Sequence, residues 1–281
     1  MDRFNFSKIE SFFSKERLNT YQRILRTTNT HLILKHYIWN INLSKSLYIS
    51  LQNLEVSLRN SIHNNLSKYY AKKIDDYNAL RKSIDHNFTL VKHDAWFDLP
   101  GLLEEREIYK IKQTTSNLLK HYKEITTGKI VAELNFGFWS RLFASDYEIK
   151  IWHRCIKEIF PNMPRSIRTR KILSKRMNKF RKLRNRIFHH EPIFHIENLL
   201  EVHNEIIETI GWINKDVQKF TLFFDDFKAI YSYGKDLIEL RLMNRDFTYH
   251  KFIEIIINEE QQNNINLKVS NKEINITVKN T

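Results

Sequence analysis

Cysteine occurs once in the 281 residues, at Cys155, glycine five times and proline four times. A lone cysteine excludes an internal disulfide framework and a cysteine-rich zinc site, and it fits a reducing compartment. So few turn formers exclude a β-sandwich with its many tight connections. No run of about 18 apolar residues occurs. Met1 to Lys8 lacks the basic start and apolar core of an export signal. The chain therefore reads as cytoplasmic, neither exported nor membrane-spanning. Acidic residues are also in deficit, 32 against 46 Lys and Arg, for a net charge of +14.

What remains is the composition of a helical protein, dominated by Leu, Ile, Lys, Asn and Glu. The length suits one large domain or two small ones, enough to bury a core without staples. Leu47, Leu51, Leu54, Leu58, Ile62 and Leu66 recur at steps of three and four, the pattern of one buried helix face. Leu199, Val202, Ile206, Ile210, Ile213, Val217 and Phe220 repeat it, predicting one long helix that Gly211 interrupts at modest cost. Residues 98–101, 126–129 and 161–164 read as connections. The expected architecture is all-α, with residues 1–257 forming the helical domain. Residues 258–281 read either as a polar tail or as a small β-hairpin, since Ile265, Leu267 and Val269, then Ile274, Ile276 and Val278, alternate with polar residues.

The positive charge is clustered. Arg165, Arg168, Arg170, Lys171, Lys175, Arg176, Lys179, Arg181, Lys182, Arg184 and Arg186 follow one another with no acid until Glu191. A one-signed run of this length repels itself unless an anion joins it, and a phosphate backbone is the leading anion. The run ends in Arg184, Asn185 and His189, with His190 next and Pro192 close behind. The apolar stripe of this segment is Leu173, Met177, Phe180 and Ile187, and Arg184 occupies the place that would continue it. A charge there calls for a carboxylate, a partner subunit or a phosphate.

Asn185 and His189 are four apart and share a helix face, so the amide can orient the imidazole. His189 lies about 140° around an ideal helix from Arg184. Either the helix ends near His189 because of Pro192, or a second copy completes the site. The chemistry that suits Arg and His without a metal is RNA transesterification. A base takes the 2′-OH proton, the oxygen attacks the adjacent phosphorus, and an acid protonates the departing 5′-oxygen. The products are a 2′,3′-cyclic phosphate and a 5′-hydroxyl. His189 would act as acid or base and Arg184 would stabilise phosphoryl charge; DNA, lacking the 2′-OH, is excluded. His190, Glu191 and His195 do not stand at a recognised metal-ligand spacing, so the reading calls for no metal and no cofactor.

The segment 184–189 resembles the R-x4-6-H signature of HEPN domains, and the whole run RNRIFHHEPI resembles the signature of the Abi-like, abortive-infection family. ELNFGFWSRLF (residues 133–143), with Trp152 and Phe160 downstream, and LEVSLRNSI (residues 54–62) are similar to blocks upstream of that motif. The resemblance implies a HEPN-like helical bundle with additional helices and a homodimer with facing motifs. It makes Arg184 and His189 the catalytic pair, with Asn185 the polar residue between them. It also implies a toxin-type antiphage effector, some relatives being associated with a small structured RNA, so that RNA is partner as well as substrate. The other basic residues of the run and His190 would then bind RNA. Glu55 and Arg59 match the first block, but a surface ion pair explains them equally well. Phe136, Phe138 and Trp139 read as a core cluster around Gly137. A non-catalytic module that holds a structured small RNA through the basic face is the alternative; DNA binding is weaker, with no helix-turn-helix or zinc-finger pattern.

Overall fold

The computed structural model describes residues 6–121, 124–243, 264–269 and 272–277. Two short helices, α1 (Phe6–Phe13) and α2 (Lys15–Leu25), lead into α3 (Thr30–Ile84), on which the other helices assemble. At 1.5 Å per residue α3 is about 80 Å long. Asn29 opens it, its side chain accepting the Leu32 N–H at 3.1 Å. The predicted leucine face is buried along its whole length and continues through Tyr70 and Ile74.

Around α3 pack α5 (Thr127–Glu133), α6 (Phe136–Arg141), α7 (His153–Ile159), α8 (Arg170–Phe188), α9 (Leu199–Ile213), α10 (Lys215–Phe223) and α11 (Phe227–Met243), and α4 (Glu105–Leu119) joins the same core against α5. Residues 6–243 are all-α where described, as the composition predicts. Residues 98–101 and 161–164 are connections, but 126–129 are not: Thr126 caps α5 by accepting the Lys129 N–H, and the helix begins at Thr127. Phe136, Phe138 and Trp139 lie in the core beside Trp152 and Phe160. Gly137 serves the helix cap rather than a helix contact, since a Cβ there would come within 2.9 Å of the Asn135 side chain that caps α6.

The single long helix expected after Pro192 is two. Asn214 takes an extended conformation and its side chain accepts the N–H groups of Asp216 and Val217, which ends α9 and starts α10 in one residue. The chain then folds back, and Gln218 donates to the Ile207 carbonyl at 3.1 Å. Gly211 leaves room for that side chain, since a Cβ there would meet the Gln218 amide at 2.5 Å and displace it. Phe220, expected on the buried face, is exposed.

A satellite cluster of Leu18, Tyr21 and Ile33 lies under α2, and Phe194 packs against both it and the main core. Cys155 is buried in the main core, which pushes its thiol up to about 11. Near the C-terminus β1 (Asn264–Val269) and β2 (Lys272–Thr277) pair antiparallel with Ile265 opposite Ile276. The rest of the segment read as tail or hairpin, residues 258–263, 270–271 and 278–281, lies outside the described residues, and no functional argument rests on it. No helix among the described residues is long and apolar enough to cross a membrane.

Candidate functional site

The three sequence blocks singled out above meet in space, where α8 runs antiparallel to α3 with the start of α6 beside them. Glu55 of α3 faces Arg184 of α8, Tyr48 lies 6.1 Å from Phe188 ring to ring, and Asn40 reaches Ile193. As the α3 number falls, the partner number rises.

The predicted apolar stripe is complete without residue 184. Leu173, Met177, Phe180, Leu183 and Ile187 are all buried, Leu183 filling the gap that the sequence assigned to Arg184. Arg184 is displaced to the edge of the stripe, where its guanidinium lies 4.0 Å over the Phe188 ring. Its Nε is buried and has no acceptor. Arg59 Nε is in the same condition, while Arg59 Nη1 donates to the Ala132 carbonyl at 2.8 Å. Glu55 stands between these arginines. Burial raises its carboxyl above the usual range, and Arg184, the Phe136 N–H and Arg59 pull back only in part. Glu55 and Arg59 are therefore not a solvent-facing ion pair but the α3 side of a charged, partly enclosed cluster.

The end of α8 is closed by its own backbone. His189 is the C-cap, and its N–H bonds to the Asn185 carbonyl at 2.9 Å. His190 has φ 58°, its N–H bonds to Ile187 O and that of Glu191 to Arg186 O, a Schellman closure with histidine where glycine is usual. The exit is pinned from outside as well. Arg17 of α2 donates to the His190 carbonyl at 3.1 Å, and Asn40 Oδ1 accepts the N–H groups of Ile193 and Phe194 at 2.7 and 3.3 Å. Phe194 is then seated against Tyr21, His36 and Trp39.

Because α8 stays regular to Phe188, its end does not swing His189 toward Arg184; the two project about 140° apart. Asn185 touches His189 through backbone, and among the described residues no hydrogen bond joins its amide to the imidazole. His189 and His190 are exposed. Among the described residues no group of three or more His, Cys, Asp or Glu side chains is placed to hold a metal ion.

The basic run does not stand as one repelling face. Arg168 donates to the Met163 carbonyl, and Arg170 pairs with Glu148 and donates to Phe143 O at 2.9 Å. Arg176 pairs with Glu208 at 2.6 Å and stacks 4.0 Å from Trp212, Lys179 pairs with Glu205 at 2.7 Å, and Arg186 with Glu191 at 3.3 Å. Glu205 and Glu208 come from α9 and Glu148 from the turn before α7, so the local sequence hid these three; Glu191, at the end of the run itself, was in view. Arg165, Lys171, Lys175 and Lys182 are exposed, and Arg181 is half-buried. Structure thus adds Glu55, Asn40 and Arg17 to the site. Asn40 could have been found as the polar residue on α3's buried face; Arg17 carried no signal.

The model of the family described as Abi-like protein matches residues 2–195. No curated protein matches, and no solved structure matches.

Proposed function

Since the chain belongs to the Abi-like protein family, whose name points to abortive-infection defence, we propose that it is a HEPN-type endoribonuclease that acts on RNA without a metal. Arg184 would stabilise charge on the phosphoryl oxygens, and His189 would transfer the proton to or from the 2′-OH and 5′-oxygen. Asn185 is the polar residue between them. The observation that carries the reading is the state of Arg184: stacked on Phe188, with a buried Nε that lacks an acceptor, beside a carboxyl that burial keeps from ionising readily. A guanidinium so held keeps its Nη end, rather than the enclosed Nε, for a phosphate.

The 140° between Arg184 and His189 favours a site completed by a second copy, Arg184 of one protomer working with the imidazole of the other. A homodimer is accordingly part of the proposal, as is association with a structured small RNA that restrains the toxin, in the cytoplasm. The same separation favours the second reading, a module that holds such an RNA without cutting it, if the protein is a monomer.

The test is incubation of the purified protein with a mixed RNA pool in excess EDTA, beside His189→Ala, scoring new 2′,3′-cyclic phosphate ends. Cleavage by the parent alone supports the ribonuclease. Tight RNA binding with no new ends, in protein freed of co-purified RNA, moves the function to the binding module.

A further inference from the structure

The cations near α8 divide by what they face. Arg170, Arg176, Lys179 and Arg186 each meet a carboxylate. Arg181 meets none among the described residues, and it opens instead into a cleft of about 410 Å³ between α4, α6 and α8. Ser174, Asn178 and Arg181 follow at steps of four and three, so a single polar face of α8 lines one wall. Arg106 and Lys110, four apart on α4, line the wall opposite, with Arg141 at the end of α6.

One acid belongs to this cleft, Glu107, and it is already answered. Its side chain is 3% exposed, accepts the Tyr147 hydroxyl, and lies 3.9 Å from Arg141 Nε. Arg141 in turn pairs with Asp146 at 2.7 Å. Lys110 reaches the neutral Gln113 at 3.1 Å, and Arg106, like Arg181, has no acidic partner among the described residues. Three cations thus converge on a concave polar surface with nothing to neutralise them. Guanidinium forks match phosphate oxygens, serine and asparagine side chains add hydrogen bonds to phosphate or ribose, and concave low-dielectric walls concentrate the field.

We infer that this cleft binds the phosphodiester backbone of an RNA strand. It is separate from the Arg184 cluster yet shares its helix: Arg181 precedes Arg184 by a rise of about 4.5 Å and Ser174 by about 15 Å. A strand lying along Ser174, Asn178 and Arg181 is delivered to Arg184. The choice of RNA as the polyanion rests on the ribonuclease reading; the anion chemistry does not.

The experiment measures binding apart from cleavage. Protein carrying His189→Ala is titrated onto a fluorescent single-stranded RNA of mixed sequence at several salt concentrations, with melting curves for every variant. Adding Arg106→Gln and Arg181→Gln together weakens binding about tenfold and lowers the salt slope by about 1.4, at about 0.7 per contact to a single strand. Arg181→Lys, which keeps the charge but not the fork, keeps the salt slope, and Lys215→Gln, an exposed charge on α10, leaves the slope within about half a unit of the parent. A double variant that binds like the parent, or no worse than Lys215→Gln, overturns the cleft. Inorganic phosphate and a nucleoside monophosphate are run as separate ligands; if either depends on Arg181 while RNA does not, the strand assignment falls. Cleavage by the parent with binding indifferent to Arg106 and Arg181 removes the cleft and leaves the ribonuclease. Arg181-dependent binding with no cleavage does the reverse.

Discussion

The Arg184 guanidinium rests 4.0 Å above the ring of Phe188, one helical turn further on, at the mouth of the α3–α8 contact. Phe188 is 44% exposed, so its ring contributes little to the core and much to where the charge points. On the proposed ribonuclease function, Phe188→Ala is therefore expected to reduce RNA cleavage about tenfold or more, since misplacing the proposed catalytic Arg184 is costly, with a melting temperature lowered by only a few degrees. A collapse of the fold without a selective loss of activity would assign Phe188 to packing.

Arg184→Ala does not restore an apolar stripe, because Leu183 already completes it. On the proposed function the expected result is a loss of cleavage of about 10²–10³-fold, the range for removal of one transition-state donor, together with unchanged or slightly lower thermal stability. A variant that melts higher than the parent would show that the buried, unpaired Nε is an uncompensated burden on the fold.

Glu55 supplies a pH signature. Burial raises its carboxyl more than Arg184, the Phe136 N–H and Arg59 lower it. A folded-state value above the unfolded one stabilises the fold below the carboxylate range and withdraws that stability as pH rises through it. Glu55→Gln lacks the titration. The melting temperature of the variant minus that of the parent should thus increase from pH 4 to pH 7. A difference that shrinks over this interval would mean that Arg184 and Arg59 hold Glu55 ionised.

His190 pays for its place in the closure of α8, since a left-handed conformation costs a non-glycine residue about 1 kcal/mol. His190→Gly should stabilise the protein by about that amount, raising the melting temperature by about 2–4 °C. The gain is read by calorimetry. A melting temperature at or below that of the parent would show that the imidazole itself makes a contact worth more than the strain.

The sequence made the helices legible wherever apolar spacing was enough, as in the leucine face of α3. It misread two places where a side chain, not a period, decides the backbone. Asn214 satisfies the first N–H groups of α10 and so breaks a periodic run that reads as continuous, and Thr126 starts a helix in what looked like a loop. The position of Arg184 was legible as an anomaly, but its reason was not: the stripe shifts by one residue to Leu183, which spacing alone permits either way. The basic run was legible as charge and misleading as surface, because Glu148, Glu205 and Glu208 are brought to it by folding. Glu55 and Arg59, matched by resemblance and set aside on physical grounds, fall beside Arg184 because α3 and α8 cross there.

Asn40 and Glu55 both belong to α3, and the single rod fixes them about 22 Å apart and at a set rotation. One holds the exit of the Arg184–His189 segment and the other faces its entrance. Inserting or deleting one residue between them would turn one anchor by about 100° against the other, so the two ends of the segment could no longer be seated together. A change of length in that stretch of α3 therefore costs the seating of the segment, whereas one beyond Ile84, where the helix ends, leaves the spacing of Asn40 and Glu55 untouched. The candidate site is in this sense gauged by a ruler fifteen residues long, and substitutions along it are cheaper than any change in its count.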